Sequence, residues 1–500
     1  MRNSKRLKPL IPPAVMSAVA LAALLLLAAG CATVPAANDD PLTAIRGNKA
    51  KLQYFFSQMP KGGDLHNHLS GSVYAETYFT IAVNEGMYLD PQTYRLYRQG
   101  DSGIPPQAIQ LSPDMPNLHS IRVRCIDRWS VRNYGVYSET LPPDEFFFGT
   151  FGIFSGANSS TENSVTLLKE LRERAAHENV SYLEIMLTSP AVSASVSGDA
   201  ALNERLKAGI RAGAGDAFQS LLDEIWDAWE INADIQRDLD KYVNLIDEVH
   251  NAAADAGPGV LSRYQTYCSR NSEPLYVFAQ LYIGFKACAQ SPLLVGVNIV
   301  SAENGETSLR DYRGHMEMFR HLKAKFPAVK TSMHAGELRL GLTPPEDLNF
   351  HIADAIFRAG ADRIGHGVDI AFETDAGRTL VYMADQKIAV EINLTSNEFI
   401  LGVQGGEHPL MLYYDHGVPI VLSTDDPGIL RSDLSDQYAL AAQRYGELGY
   451  RDFRQFAYNS IIYSFLPDAE KDSLTADLDS RFLEFERKMN IRPRAGKPEE

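Results

Sequence analysis

Cysteine is scarce in this chain, with four residues in 500, at positions 31, 125, 268 and 288. None of them stands at the spacing of a structural zinc site. Cys125, Cys268 and Cys288 allow at most one disulfide with a thiol left over, and they read equally well as buried thiols with no role. No Lys/Arg-rich run occurs and the net charge is −16, which excludes nucleic-acid binding through a basic surface. No internal repeat or long low-complexity tract is visible, which sets aside a repeat array. The longest apolar run, Ala14 to Leu27, is short of the ~20 residues that a membrane span needs.

That run belongs to a targeting segment. Arg2, Lys5, Arg6 and Lys8 precede it, and Ala28-Ala29-Gly30-Cys31 follows. Small residues directly before a cysteine resemble a bacterial lipoprotein cleavage site, with Cys31 as the acylated N-terminus. An ordinary signal peptide or an uncleaved anchor are the plainer readings. Ala32 after the cysteine, rather than an aspartate, resembles the outer-membrane sorting pattern, which puts the mature chain in the bacterial cell envelope facing the periplasm. Removing residues 1–30 takes away four positive charges and no negative ones, so −16 becomes −20. Residues 31–44 read as a tether and 491–500 as a flexible tail.

With 45% hydrophobic residues, the remainder can bury a large core, as one barrel with insertions or as two to three ordinary domains. Candidate strands are Gly63–His68, Ser181–Leu187, Val277–Gly284, Leu293–Val300, Ala328–His334, Arg363–Val368, Ala389–Leu394 and Pro419–Ser423. Helical patterns lie between them at Leu309–Lys325, Pro345–Arg358 and Ala376–Ala384. Strands alternating with helices predict parallel βαβ units. Eight of them predict a (β/α)8 barrel over 45–490, with large insertions near 85–165 and 191–275. Within the second, Ala217–Val249 reads as helix, and Trp226 and Trp229 on it as packing core. In such a barrel the site lies at the C-terminal ends of the strands.

Four polar groups end four of these strands. His66-Asn67-His68 places two imidazoles on one strand face. His334-Ala335-Gly336-Glu337 follows an imidazole with a carboxylate across a bend. Arg363-Ile364-Gly365-His366-Gly367 adds a third exposed imidazole group. Ser423-Thr424-Asp425-Asp426-Pro427 sets two carboxylates side by side, which is costly without a compensating cation or partner. The mixture of imidazole and carboxylate suits zinc, with His66, His68, His334 and Asp425 as ligands to one Zn2+ and a water lowered toward neutral pKa on it. The other eight histidines, at 119, 177, 250, 315, 321, 351, 408 and 416, read as packing or surface residues.

The segments MPKGGDLHNHLSGS, HAGE, RIGHG and STDDP, in this order across residues 59–430, resemble those of the adenosine deaminase family. The opening MPKG and the long insertion after the first strand look more like its secreted, growth-factor-type branch. The resemblance implies hydrolytic deamination of a purine nucleoside, adenosine or deoxyadenosine, on one zinc. It also implies that Glu337 protonates the purine N1, that His366 orients and helps deprotonate the water, and that Asp426 stands beside that water and N7. Ser70 occupies the place where the shorter adenosine enzymes carry an aspartate that holds the ribose. Ser301 stands near a glycine that meets the purine, and Asn393-Leu394 replaces Cys-Pro. Ser70, Ser301 and Asp426 are thus the substrate-binding positions. Deamination of another 6-aminopurine, such as adenine or a modified nucleoside, is the alternative within this chemistry. A different metal hydrolase lacks its bridging strand-end lysine, and a cytidine-deaminase-type enzyme lacks its HxE…PCxxC pattern. A non-catalytic, surface-anchored binding protein is the reading from another class, and the retained polar set argues against it. Oligomeric state is open.

Overall fold

The barrel strands are β1 (Gly62–His68), β5 (Val180–Met186), β6 (Leu261–Ser269), β7 (Leu294–Val300), β8 (Lys330–Ala335), β9 (Arg363–His366), β10 (Ala389–Ile392) and β11 (Ile420–Leu422). Between β1 and β5 lie β2 (Tyr88–Leu89), β3 (Leu96–Tyr97) and β4 (Ile109–Gln110), which form a small antiparallel sheet of their own. The computed structural model describes residues 40–136 and 141–491. Cys31 and the lipoprotein segment lie outside these residues, as does the tail from 492.

The eight barrel strands pair in parallel in chain order. A parallel bridge between Asn67 and Asp425 closes the ring: the Asp425 N–H donates to His66 O at 2.8 Å and the His68 N–H to Asp425 O at 3.0 Å. This is the (β/α)8 barrel that the alternation of strands and helices predicts. No helix among the described residues is long and apolar enough to cross a membrane.

One predicted strand is wrong. Val277–Gly284 lies inside the 17-residue helix Pro274–Gln290, which begins with Pro274 in its first turn and buries most of its surface. A short run that is apolar all round cannot by itself be told from a buried helix segment. The true third barrel strand is β6, LSRYQTYCS, whose Gln265 and Thr266 are fully buried. Its polar side chains hide the apolar run by which a strand is read. The second insertion therefore ends before Leu261 rather than near 275. It holds the helices Ala200–Arg211, Asp216–Glu230 and Ala233–Ala252. The expected helix Ala217–Val249 is broken at Asn232, whose side chain accepts from the Asp234 and Ile235 N–H groups and caps the next helix. Trp229 is buried and stacks on Phe278 at 5.3 Å. Pro345–Arg358 also divides, into a 3-10 turn at Pro345–Asp347 and the helix His351–Phe357.

The tether ends earlier than position 44. Leu42 is fully buried, and Asp40 accepts the Tyr450 N–H at 3.2 Å, so the chain is fastened to the barrel from Asp40 onward. Cys125, Cys268 and Cys288 are all free thiols, so the disulfide allowed by their number is absent. Burial pushes the thiols of Cys268, to about 12, and of Cys125 and Cys288 upward, which makes them inert.

Candidate metal centre and active site

The chemistry gathers where the strands end. His66 and His68 stand at the end of β1, His334 near the end of β8, His366 at the end of β9, and Asp425 three residues past β11. Three of the residues at this face have left-handed backbones without being glycine: Ser301 at φ 83°, His366 at 68° and Asp425 at 65°. Such conformations are uncommon for L-residues and concentrate at functional sites, where the surrounding fold holds them. Here each turns the chain sharply off its strand.

The four residues named as ligands come together. His66, His68, His334 and Asp425 each offer one ligand atom, and these atoms lie within 4.8 Å of one another. Asp425 Oδ1 is 3.4 Å from His66 Nε2 and 3.3 Å from His68 Nε2, and the Nε2 atoms of His68 and His334 are 3.2 Å apart. Two of these imidazoles are fixed from behind. His66 Nδ1 donates to Glu391 Oε2 at 2.6 Å, and His334 Nδ1 donates to Asn298 Oδ1 at 2.9 Å. With hydrogen on Nδ1, both Nε2 atoms turn a lone pair toward Asp425, and His66 Nε2 is buried with no hydrogen-bond partner. Two nitrogen lone pairs and a carboxylate converging on one point fit a cation. A second group shares the aspartate: Glu337, His366 and Asp425 also lie within 4.8 Å of one another.

Burial and close charges push these groups apart in acidity. Burial lowers His334 well below its ordinary value, and the neighbouring His66, His366 and His68 push the same way. Burial likewise takes His366 down to about 3. Burial opposes charge on His66 too, but Asp425 and Glu391 beside its two nitrogens prevail and raise it to about 10, so the pocket draws positive charge to Nε2, where a cation would displace the second proton and meet the lone pair. Burial opposes charge on Asp425, but the imidazoles of His66 and His68 beside it, with His366, hold it well below the carboxylate range. Burial raises Glu337 well above that range, with Asp425 and Glu303 adding, and it raises Asp426 in the same direction with Asp425 beside it. One carboxylate is pushed toward the ionised form and two toward the protonated form within one pocket. Titratable groups with divergent acidities are what acid–base chemistry needs.

Below the ligands runs a polar network that the motifs do not reveal. Glu391 Oε1 accepts from Arg363 Nε at 2.6 Å and from Ser332 Oγ at 2.8 Å. Arg363 also donates to Glu184, and Gln265 joins Glu184, at 2.9 Å, to Asn298, at 2.9 Å. The backing of His66 is thus linked to the backing of His334 through buried groups. Sequence does hold a signal for them: Glu391 and Asn298 are lone polar residues within the apolar strands AVEI and LVGVNIV. Arg363→Met should lower stability by about 3–5 kcal/mol, since it leaves Glu184 and Glu391 buried without their cation. Urea unfolding of the variant checks this, and an unchanged midpoint would contradict it.

His351, set aside in the sequence, also belongs to the site's support. Its Nδ1 is 2.6 Å from Glu303 Oε1. Glu303 in turn accepts the N–H groups of Gly336 at 3.1 Å and Glu337 at 2.8 Å, so a fully buried carboxylate fixes the backbone that presents Glu337. His408 is a second such residue, hydrogen-bonded to Asn397.

The substrate-binding candidates share this end of the barrel. Ser70 lies in the short helix Leu69–Ser72 just after β1, and its carbonyl accepts from Tyr78 OH at 2.7 Å. Ser301 follows β7, and its hydroxyl accepts from Asn271 Nδ2 at 3.2 Å. Asp426 sits against Gly71, where a Cβ would fall 1.5 Å from Asp426 Oδ1. Gly71→Ala must therefore displace that carboxylate. Activity should drop about a hundred-fold while bound metal is retained; steady-state kinetics with metal analysis tests it, and undiminished activity would show that Asp426 needs no such placement.

Comparison with known proteins bears on the family and the fold. The family model for adenosine deaminase matches residues 146–481. An adenosine deaminase of Salmonella dublin is 38% identical over 165 residues, 33% of this chain and 46% of the relative. The match thus spans about half the length of such curated relatives. Among solved structures, the N6-methyl-AMP deaminase of Arabidopsis thaliana superposes with a TM-score of 0.56 at 18% identity, covering 86% of this chain and 99% of that one. An amidohydrolase of Burkholderia ambifaria with bound Zn superposes with a TM-score of 0.53 at 19% identity, covering 88% and 95%. On the match over residues 146–481, the chain belongs to the adenosine deaminase family.

Proposed function

We propose that this chain is a zinc-dependent hydrolase that converts adenosine or deoxyadenosine to the corresponding inosine and ammonia. One observation supports this above the others: Asp425 belongs both to the His66–His68–His334 group and to the Glu337–His366 group, so a metal and an acid can act on the same ring. In this reading His66, His68, His334 and Asp425 hold one zinc, which supplies an activated water. The chain's own residues do the rest. Glu337, neutral because it is buried, donates its proton to the purine N1 and makes C6 electrophilic. His366 and Asp426 flank the attacking oxygen and orient it. Oxygen bonds to C6, one proton of the water passes to the departing amino group, the C6–N bond breaks and ammonia leaves, and the water's other proton returns to Glu337. An absorbance assay of adenosine with metal-loaded protein, with a chelator control, tests the reading; no turnover of either nucleoside would overturn it.

Ser70, in place of the ribose-binding aspartate, favours a second reading, in which another 6-aminopurine such as adenine or an N6-modified nucleoside or nucleotide is the substrate. Ammonia release across a purine panel separates the two. We also propose that the mature chain is acylated at Cys31 and held at the outer membrane facing the periplasm. Cys31→Ser should then abolish lipid labelling, and labelling that persists would defeat this placement.

A further inference from the structure

His366 is held from its outer side by a hydrogen-bonded chain whose direction is set by a backbone group. The Leu410 N–H donates to His408 Nδ1 at 3.1 Å. A backbone N–H can only donate, so His408 Nδ1 bears no hydrogen. His408 is buried, which takes it down to about 3 and keeps it neutral. Its hydrogen is therefore on Nε2, which lies 3.1 Å from Asn397 Oδ1. That contact requires the amide oxygen to face His408 and the amide nitrogen to face the other way. Asn397 Nδ2 is 3.0 Å from His366 Nδ1, and Asn393 Nδ2 approaches the same atom at 3.5 Å. Both are donors, so His366 Nδ1 accepts. Glu337 Oε1 is 3.6 Å from that nitrogen, beyond hydrogen-bond length. The remaining ring nitrogen, His366 Nε2, is buried and has no protein partner.

We propose that Asn397 and His408 are positioning residues that hold His366 with its hydrogen on Nε2, so that His366 donates a hydrogen bond to the attacking oxygen rather than taking its proton. The inference deepens the function proposed above and rests on it for the identity of that oxygen. A donor at this place aims a lone pair of the oxygen along the line of attack, which is a matter of orientation more than of acidity.

The direct test is the 15N chemical shifts of His366 in metal-loaded protein labelled at histidine, assigned by comparison with His366→Gln. Shifts showing Nδ1 bare and Nε2 bearing hydrogen are expected; hydrogen on Nδ1 would overturn the proposal. This result is independent of which purine is turned over, so a failure of the adenosine assay and a failure here are distinguishable. Asn397→Asp presents only acceptors and should move the His366 hydrogen to Nδ1. It should lower kcat about a hundred-fold on whichever purine is the substrate, with KM changed less than about three-fold. His408→Phe should weaken turnover, and His408→Gln, whose amide can still donate to Asn397, should restore most of it. A folded Asn397→Asp enzyme with parental kcat would sink the idea. If that variant does not fold, the parental shifts still decide.

Discussion

Glu337→Gln is expected to lower kcat by between about a hundred- and ten-thousand-fold, the range over which a positioned acid contributes, while metal content stays at the parental level. The side chain keeps its size, and its backbone N–H stays fixed by Glu303. The amide can donate a hydrogen bond to a ring nitrogen but cannot release a proton to it, so substrate binding suffers less than turnover. Glu337 lies outside the four-residue ligand group, which is why metal should be unaffected. The sign of the pH dependence follows from the same burial. Glu337 acts as an acid, so the parental enzyme loses activity as pH rises through its pKa. Because burial, Asp425 and Glu303 raise that pKa, the loss falls above the ordinary carboxylate range. Ammonia release and metal analysis on the same preparation check the prediction, and parental turnover by the variant would remove Glu337 from the role of acid.

How much of this was legible in the sequence depended on whether a residue announces itself locally. His66-Asn67-His68, His334 with Glu337, His366 and Asp425-Asp426 each follow an apolar strand, and the period-two geometry of a strand end with glycine or proline beside it leaves a readable mark. Their convergence required only that the strands be parallel and close into a ring. The strand β6 was missed because it turns Gln265 into the barrel, where Gln265 joins Glu184 to Asn298. A strand that faces a polar interior lacks the apolar run by which strands are recognised. The residues that back the site were hidden for a related reason. His351 and His408 act through Glu303 and Asn397, 48 and 11 positions away in the chain, and a lone histidine on a helix or loop gives no sign of such a partner. The insertion after β1 stayed unread because, among the described residues, its two-residue strands pair with one another and with no barrel strand.

Asp425→Ala should reduce metal affinity by more than about a hundred-fold, since loss of a partner behind a ligand alone typically costs ten- to a hundred-fold. The argument rests on the two tasks that Asp425 performs at once. Its Oδ1 is the oxygen that approaches both His66 and His68, and its backbone pairs with β1 on both sides to close the barrel. That closure holds it in the left-handed region at φ 65°, which aspartate and asparagine tolerate better than alanine. Alanine there removes the ligand and adds backbone strain of order 1 kcal/mol. Asparagine keeps an oxygen donor and tolerates the backbone, and removes only the charge. The two variants therefore separate the roles. Asp425→Asn should fold with near-parental stability and bind metal more weakly than the parent, whereas Asp425→Ala should lose both stability and metal. Metal titration alongside thermal unfolding of the metal-free proteins reads the two effects independently, and parental metal affinity in Asp425→Ala would exclude this carboxylate from the ligand set.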